Sequence, residues 1–139
     1  MKPQILLKIA SFSTAFFALG HSIGHFTRHQ VTDPKALEIQ KLMIENKFDM
    51  FGVLRSYDEN YTGMSFNLIF TLIVFTILLW ILSNNTNNEN LKLVKSTLFV
   101  IMLCLIGFTI TSYLYFFMVP TLTCLIASLL CGISIYKLK

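Results

Sequence analysis

Two long stretches of the chain carry no charged residue, Asn60 to Asn88 and Ser96 to Tyr136. At a rise of roughly 1.5 Å per residue the second would make a helix of about 60 Å, twice the hydrocarbon thickness of a bilayer. It must therefore be two crossings with a turn between them, and Pro120 is the natural break. An apolar run near the N-terminus adds a further span. The pattern predicts four spans, at about 4–26, 64–83, 96–119 and 121–136, in a single domain covering 1–139. One apolar helix could belong to a soluble core, but four could not.

The only substantial polar stretch, 27–61, separates the first two spans. Thr32-Asp33-Pro34 is a helix start, with Asp33 as cap and Pro34 at the first helical position. Ala36, Ile39, Met43 and Met50 follow at near-helical spacing, with Leu42 beside them. A short amphipathic helix is expected here, lying at the interface or over one end of the bundle, and ended or bent by Gly52. The fold class expected is all-α: a transmembrane four-helix bundle, up-down-up-down, with this small helix in the first loop. Spans three and four should form a tight hairpin.

Composition agrees with a membrane setting. Of 139 residues 55% are hydrophobic and 13% charged, and mean hydropathy is +0.67, against about 25% charged in a soluble domain. The net charge of +4 comes with no basic stripe interleaved with aromatics, so nucleic acid is rejected as a partner. Charge speaks instead to topology. Lys2, Lys8, Lys92, Lys95, Lys137 and Lys139, against Glu89, share one side of a four-span protein. On the other side Arg28, Lys35, Lys41, Lys47 and Arg55 are diluted along a longer loop with six acids. Both termini are expected in the cytoplasm, with a bacterial inner membrane as the location. Lys8 stands near enough to a boundary to snorkel, and Trp80 sits where an interfacial aromatic belongs. Lys8 interrupts the first apolar run and no small-x-small cleavage site follows it, so a retained helix is expected rather than a signal peptide. Asn60-Tyr61-Thr62 and Asn84-Asn85-Thr86 match the glycosylation sequon, but nothing here indicates a secretory context.

Cys104, Cys124 and Cys131 lie in apolar segments without a CxxC, and read as small buried hydrophobes. Thr109, Thr111, Ser112, Thr121, Thr123 and Ser128 can return their hydroxyls to the helix backbone. No acidic or basic residue lies mid-membrane in spans two to four, which weakens ion or charged-substrate transport as a function.

The candidate chemistry is concentrated at one membrane face. His21, His25 and His29 stand at i, i+4 and i+8 at the end of span one, on one helical face. His21 and His25 could reach one metal ion, with His29 as a further ligand and Asp33, Asp58 or Glu59 supplying oxygens to zinc or iron. No Glu follows His21, which argues against zincin chemistry, and no later span offers a second histidine for haem. The bland alternative is interfacial placement, since imidazole has an apolar body and a polar tip.

Arg55, Tyr57, Asp58, Glu59 and Tyr61 begin span two. An Arg55–Asp58 pair could fix a phosphate or carboxylate head group, or be an exposed ion pair of little worth. Because span one ends where span two begins, His21, His25, Arg55, Asp58 and Tyr61 are expected to bracket a pocket with an apolar floor. It would suit a lipid, quinone or other amphiphile, with His21 or His25 as acid or base. A His-based metal protein is a second reading. A third is a non-catalytic partner subunit, in which Gly20 and Gly24, a GxxxG pair, admit a second copy or another membrane protein.

The strings HSIGHFT, VTDP and F-x-x-F-G-V-L-R-S-Y-D-E-N-Y-x-G resemble a family of small bacterial membrane proteins with four spans. Its Gly-His-x-x-Gly-His and Arg-Ser…Tyr-x-Gly motifs fall on Gly20, His21, Gly24, His25, Arg55, Ser56, Tyr61 and Gly63. The resemblance implies a membrane location and a shared site around these residues, and no particular reaction. Eicosanoid and glutathione membrane enzymes match in size alone. Quinone-reducing disulfide enzymes need paired cysteines that this chain lacks, and four-span sterol isomerases are an analogy of architecture.

Overall fold

A computed structural model describes residues 1–86 and 90–138. Glu89 and Lys139, which entered the charge comparison, lie outside the described residues. Among the described residues, five helices and one hairpin follow in chain order: α1 (Pro3–Thr27), α2 (Pro34–Glu45), β1 (Lys47–Met50), β2 (Val53–Ser56), α3 (Tyr57–Asn84), α4 (Leu91–Tyr115) and α5 (Met118–Lys137). α1, α3, α4 and α5 are long and apolar enough to cross a membrane. They also expose apolar side chains that water would not tolerate in such number, among them Phe12, Phe16, Phe70, Ile77, Leu103, Ile110 and Leu129. The chain is an integral membrane protein, mostly helical. Its two compact units are Met1–Ala18 with Thr71–Lys139, and Leu19–Phe70.

The first unit holds the apolar core. Leu7 and Ala10 of α1, Leu79 of α3, Leu98, Ile101 and Leu105 of α4, and Cys124, Ala127 and Cys131 of α5 are buried together. Small residues let these helices approach. A methyl added at Gly132 would stand 3.3 Å from Met102 Sδ, and Met102 and Gly132 lie about equally far from the α4–α5 connection, as antiparallel neighbours do. Polar contacts join α1 to α3: Ser11 Oγ donates to the Thr76 carbonyl at 2.8 Å, and Thr14 and Thr76 share a hydroxyl contact of 2.9 Å. Lys8 Nζ lies 5.0 Å from the Trp80 ring centre, so the charge has an aromatic face beside it. Thr109, Thr111, Thr121, Thr123 and Ser128 return their hydroxyls to backbone carbonyls of the preceding turn, as expected.

Several boundaries differ from the sequence reading. The α4–α5 break falls at Phe116 and Phe117, whose backbones leave the helical region. Pro120 instead occupies the first turn of α5, where a missing N–H costs no helical bond. α2 starts as expected, with Asp33 accepting from Ala36 N at 2.9 Å and Pro34 behind it. It ends at Glu45, however, and Met50 belongs to β1 rather than to a helical stripe.

The stretch read as a bend at Gly52 is a two-stranded antiparallel hairpin, with Lys47 opposite Ser56 and Met50 opposite Val53. Its two-residue turn, Phe51-Gly52, has φ of 54° and 87°. Two successive positive φ values are the primed turn whose twist suits a hairpin. Asp49 supports it by accepting from Gly52 N at 2.7 Å. α3 then starts at Tyr57 rather than Met64, because Ser56 and Glu59 form a capping box. Ser56 N donates to Glu59 Oε2 at 2.8 Å and Glu59 N donates to Ser56 Oγ at 3.1 Å.

Candidate functional site

The candidate site lies wholly in the second unit and is organised by Arg28. α1 ends at Thr27, and the chain turns there with Gln30 N donating to the Thr27 carbonyl at 2.9 Å. Arg28 is therefore freed from the helical direction and reaches the first turn of α3. Its Nη2 donates to both Asp58 oxygens, at 3.3 and 3.2 Å, and to Thr62 Oγ1 at 2.7 Å. Thr62 Oγ1 in turn donates to the Asp58 backbone carbonyl at 2.7 Å. Side chains of Arg28 and Asp58 are only 20% and 18% exposed. Low exposure decides the weight of the pair, because charge-assisted bonds shielded from water are worth about 1.5–3 kcal/mol each.

The three histidines do not form one face. His21 and His25 are helical, whereas His29 lies past the end of α1. His21 Nε2 is 2.9 Å from Ser65 Oγ. His25 is 5% exposed and sits against the rings of Phe26 and Phe66, at 5.2 and 4.7 Å between centres. Arg28 Nη1 lies 3.0 Å from His25 Nδ1 and 3.2 Å from Nε2, and donates to the His25 carbonyl at 3.2 Å. One guanidinium nitrogen cannot align with both ring lone pairs, which diverge, so at most one is an in-line bond. Arginine only donates, so the ring nitrogen that accepts it carries no proton. His29 turns the other way and places Nε2 2.9 Å from Asp58 Oδ1.

Among the described residues no three His, Cys, Asp or Glu side chains gather as a metal cage. The expected set of His21, His25 and His29 is divided between Ser65, Arg28 and Asp58. The nearest approach to a metal pair, His29 with Asp58, also holds the Arg28 guanidinium, whose positive charge would repel a cation. Asp33 is occupied at the start of α2.

Arg55 does not pair with Asp58. It belongs to β2, is half-exposed, and its Nη1 stands 3.7 Å from Glu59 Oε1. Such a pair contributes little. Tyr57 packs on Phe48, with ring centres 4.6 Å apart. Among the described residues no atom lies within 4 Å of a Cβ added at Gly20 or Gly24.

Beside the Arg28–Asp58 pair lies an open cleft of about 320 Å³, lined by Arg28, His29, Val31, Ala36, Ile39, Gln40, Met43, Asp58 and Tyr61. Ala36, Gln40 and Met43 come from one face of α2, the face that is half-buried. Gln40 Nε2 donates to the Arg28 carbonyl at 3.4 Å, so α2 is tied to the turn that carries the polar groups. The Tyr61 ring lies 5.7 Å from the Arg28 guanidinium carbon, and its hydroxyl makes no hydrogen bond among the described residues. Arg28 Nε is buried and likewise has no partner among the described residues. The lining thus combines charged and polar side chains with apolar ones.

Of the residues expected at the site, Asp58 and Tyr61 line the cleft; His21, His25 and Arg55 do not. Arg28 and His29 take their place. Their signal was present in the sequence: Arg28 follows span one directly, so the proximity argument applied to Arg55 applied to it equally. Comparison with protein-family models, with curated proteins and with solved structures found no match to this chain.

Proposed function

We propose that this membrane protein binds a single amphiphile in the cleft between α2 and the Arg28–Asp58 pair, with the polar head at Arg28, His29 and Tyr61 and the apolar tail over Val31, Ala36, Ile39 and Met43. One observation carries the reading: Arg28, His29 and Tyr61 line the same cleft of about 320 Å³ as the apolar wall of Val31, Ala36, Ile39 and Met43. Binding sites of this size are mostly apolar with a few placed polar groups. The guanidinium charge of Arg28 and the Tyr61 hydroxyl favour a head group that accepts hydrogen bonds, such as a phosphate, a carboxylate or a carbonyl. His29 is the group that could exchange a proton with such a ligand, since Asp58 holds it and about half of its side chain is exposed. His25 is enclosed and His21 lies outside the cleft lining, so the acid–base role moves from them to His29.

The surrounding architecture is read as an up-down-up-down bundle with both termini in the cytoplasm of a bacterial cell. Opposed chain directions support this: within the first unit, partners of Ser11 and Lys8 on α3 are Thr76 and Trp80 in turn. Within the second, partners of His21 and Arg28 are Ser65 and Asp58.

The test is native mass spectrometry of the detergent-purified protein beside Arg28→Ala and Ile39→Trp. The wild type should retain an amphiphile of defined mass. Arg28→Ala removes its head-group donor and Ile39→Trp fills its tail site, so both should lose it. Wild-type protein that carries no adduct, even when extracted in lipid nanodiscs, would overturn the proposal.

A further inference from the structure

The turn of the hairpin is unusual in two independent ways. Phe51 is fully exposed, at 104%, and its φ is 54°. Positive φ is disfavoured for bulky side chains, and turns of this kind select Asn, Asp or Gly at that position. A phenylalanine here gains nothing from packing within the chain and is strained in its backbone. Its neighbours repeat the pattern, since Met50, Val53 and Leu54 are also exposed. The five residues Met50-Phe51-Gly52-Val53-Leu54 are thus an apolar tip on a polar hairpin base that carries Lys47 and Arg55.

The hairpin adjoins a helix long and apolar enough to cross a membrane. β2 ends at Ser56 and α3 begins at the next residue, so the hairpin is joined without a linker to a membrane-crossing helix. Phe48 packs on Tyr57 across that junction, which fixes the hairpin to the helix end. At about 1.5 Å per residue α3 is longer than the hydrocarbon layer is thick, and its acidic first turn, with Asp58 and Glu59, suits the head-group level. A strand of four residues spans about 13 Å, enough to return from there to the acyl boundary. Aromatic tips beside basic residues suit that boundary, because the ring enters the apolar zone while Lys47 and Arg55 meet lipid phosphates.

We propose that the Phe51 tip is a membrane-surface anchor, inserted at the head-group–acyl boundary of the bilayer that α3 crosses. The anchor would hold the hairpin, and through it the first turn of α3 that carries Asp58, at a fixed depth. It does not depend on the cleft being occupied.

Phe51→Trp in a Trp80→Phe background places one tryptophan at the tip. The protein is reconstituted in phosphatidylcholine–phosphatidylglycerol vesicles and quenched with lipid spin-labelled at the fifth acyl carbon, or with aqueous acrylamide. The proposal predicts blue-shifted emission, loss of most of it to the lipid quencher, and little effect of acrylamide. Strong acrylamide quenching with no lipid quenching would overturn it, and so would shielding from both, which would mean that protein covers the tip. If Trp80→Phe does not fold, Phe51→Trp on the natural background is read as the difference from wild type. Phe51→Asn is the folding control: it suits the turn, so it should keep the thermal stability of the detergent-purified protein. A clear loss of stability there would show that Phe51 packs within the chain and would also overturn the proposal.

Discussion

Asp58 is held by Arg28, thirty residues away along the chain with Nη2 3.2 Å from its carboxylate, and not by Arg55 three residues before it. The pair joins the end of one membrane helix to the start of the next. Asp58 also receives His29, so a single carboxylate fixes both residues that follow α1.

Replacing Arg28 should therefore weaken the protein far more than replacing Arg55. Arg28→Ala leaves Asp58 shielded from water without its main partner, a loss expected at about 2–4 kcal/mol. Arg55→Ala removes a half-exposed pair and should cost under about 1 kcal/mol. Thermal unfolding in detergent, followed by tryptophan emission, separates the two. Equal shifts would contradict the account.

Ser56 and Glu59 start α3 by satisfying each other's backbone donors. Ser56→Ala should cost about 1 kcal/mol, and Ser56→Asp, which preserves the cap, should cost little. Amide hydrogen exchange reads this locally. Faster exchange in Ser56→Ala should be confined to the first turn of α3, and unchanged exchange there would argue against the capping box.

The α4–α5 contact sets a size limit at Gly132. Gly132→Ala brings a methyl to 3.3 Å from Met102 Sδ, at the flexible end of that side chain. A small shift of Met102 relieves this, and the gain in helix propensity offsets it, so stability should stay within about 1 kcal/mol of wild type. Gly132→Leu has no such escape and should cost about 1–3 kcal/mol. A tolerated leucine would mean that the two helices are further apart than described.

The elements that sequence made legible are those governed by long-range averages of polarity. Two uncharged stretches gave three spans and the apolar run near the N-terminus gave the first, while Asp33-Pro34 gave the start of α2 by a local signal that nothing opposes. Details at the loop were lost where two rules competed. Met50 fits a helical stripe by spacing, yet Phe51-Gly52 forms a hairpin turn despite a residue that such turns disfavour. S-Y-D-E at Ser56–Glu59 is a capping signature that extends α3 by two turns, into residues polar enough to resemble a loop. The site was half legible. Asp58 and Tyr61 were found by proximity of span ends, but pairing by sequence separation chose Arg55, which the strand holds away. His29 was placed on the histidine face by its i+8 spacing, although the first span was drawn only to about residue 26 and α1 stops at Thr27.

Orientation has its own check. A C-terminal green fluorescent protein should fluoresce and a C-terminal alkaline phosphatase should be inactive, with the opposite result for fusions truncated after Asn46. Reversed signals would place the lysine-rich side outside, against the expected direction of basic residues.

The most direct measurement of the cleft is photolabelling of the reconstituted protein with a fatty acid that carries a diazirine on its tail, mapped by peptide mass spectrometry. Labelling should concentrate on Val31, Ile39 and Met43, and should fall at those residues in Ile39→Trp and Arg28→Ala while lipid-facing positions such as Phe12, Phe16 and Ile77 keep theirs. Label confined to the lipid-facing positions in every variant would contradict an amphiphile site at Arg28 and α2.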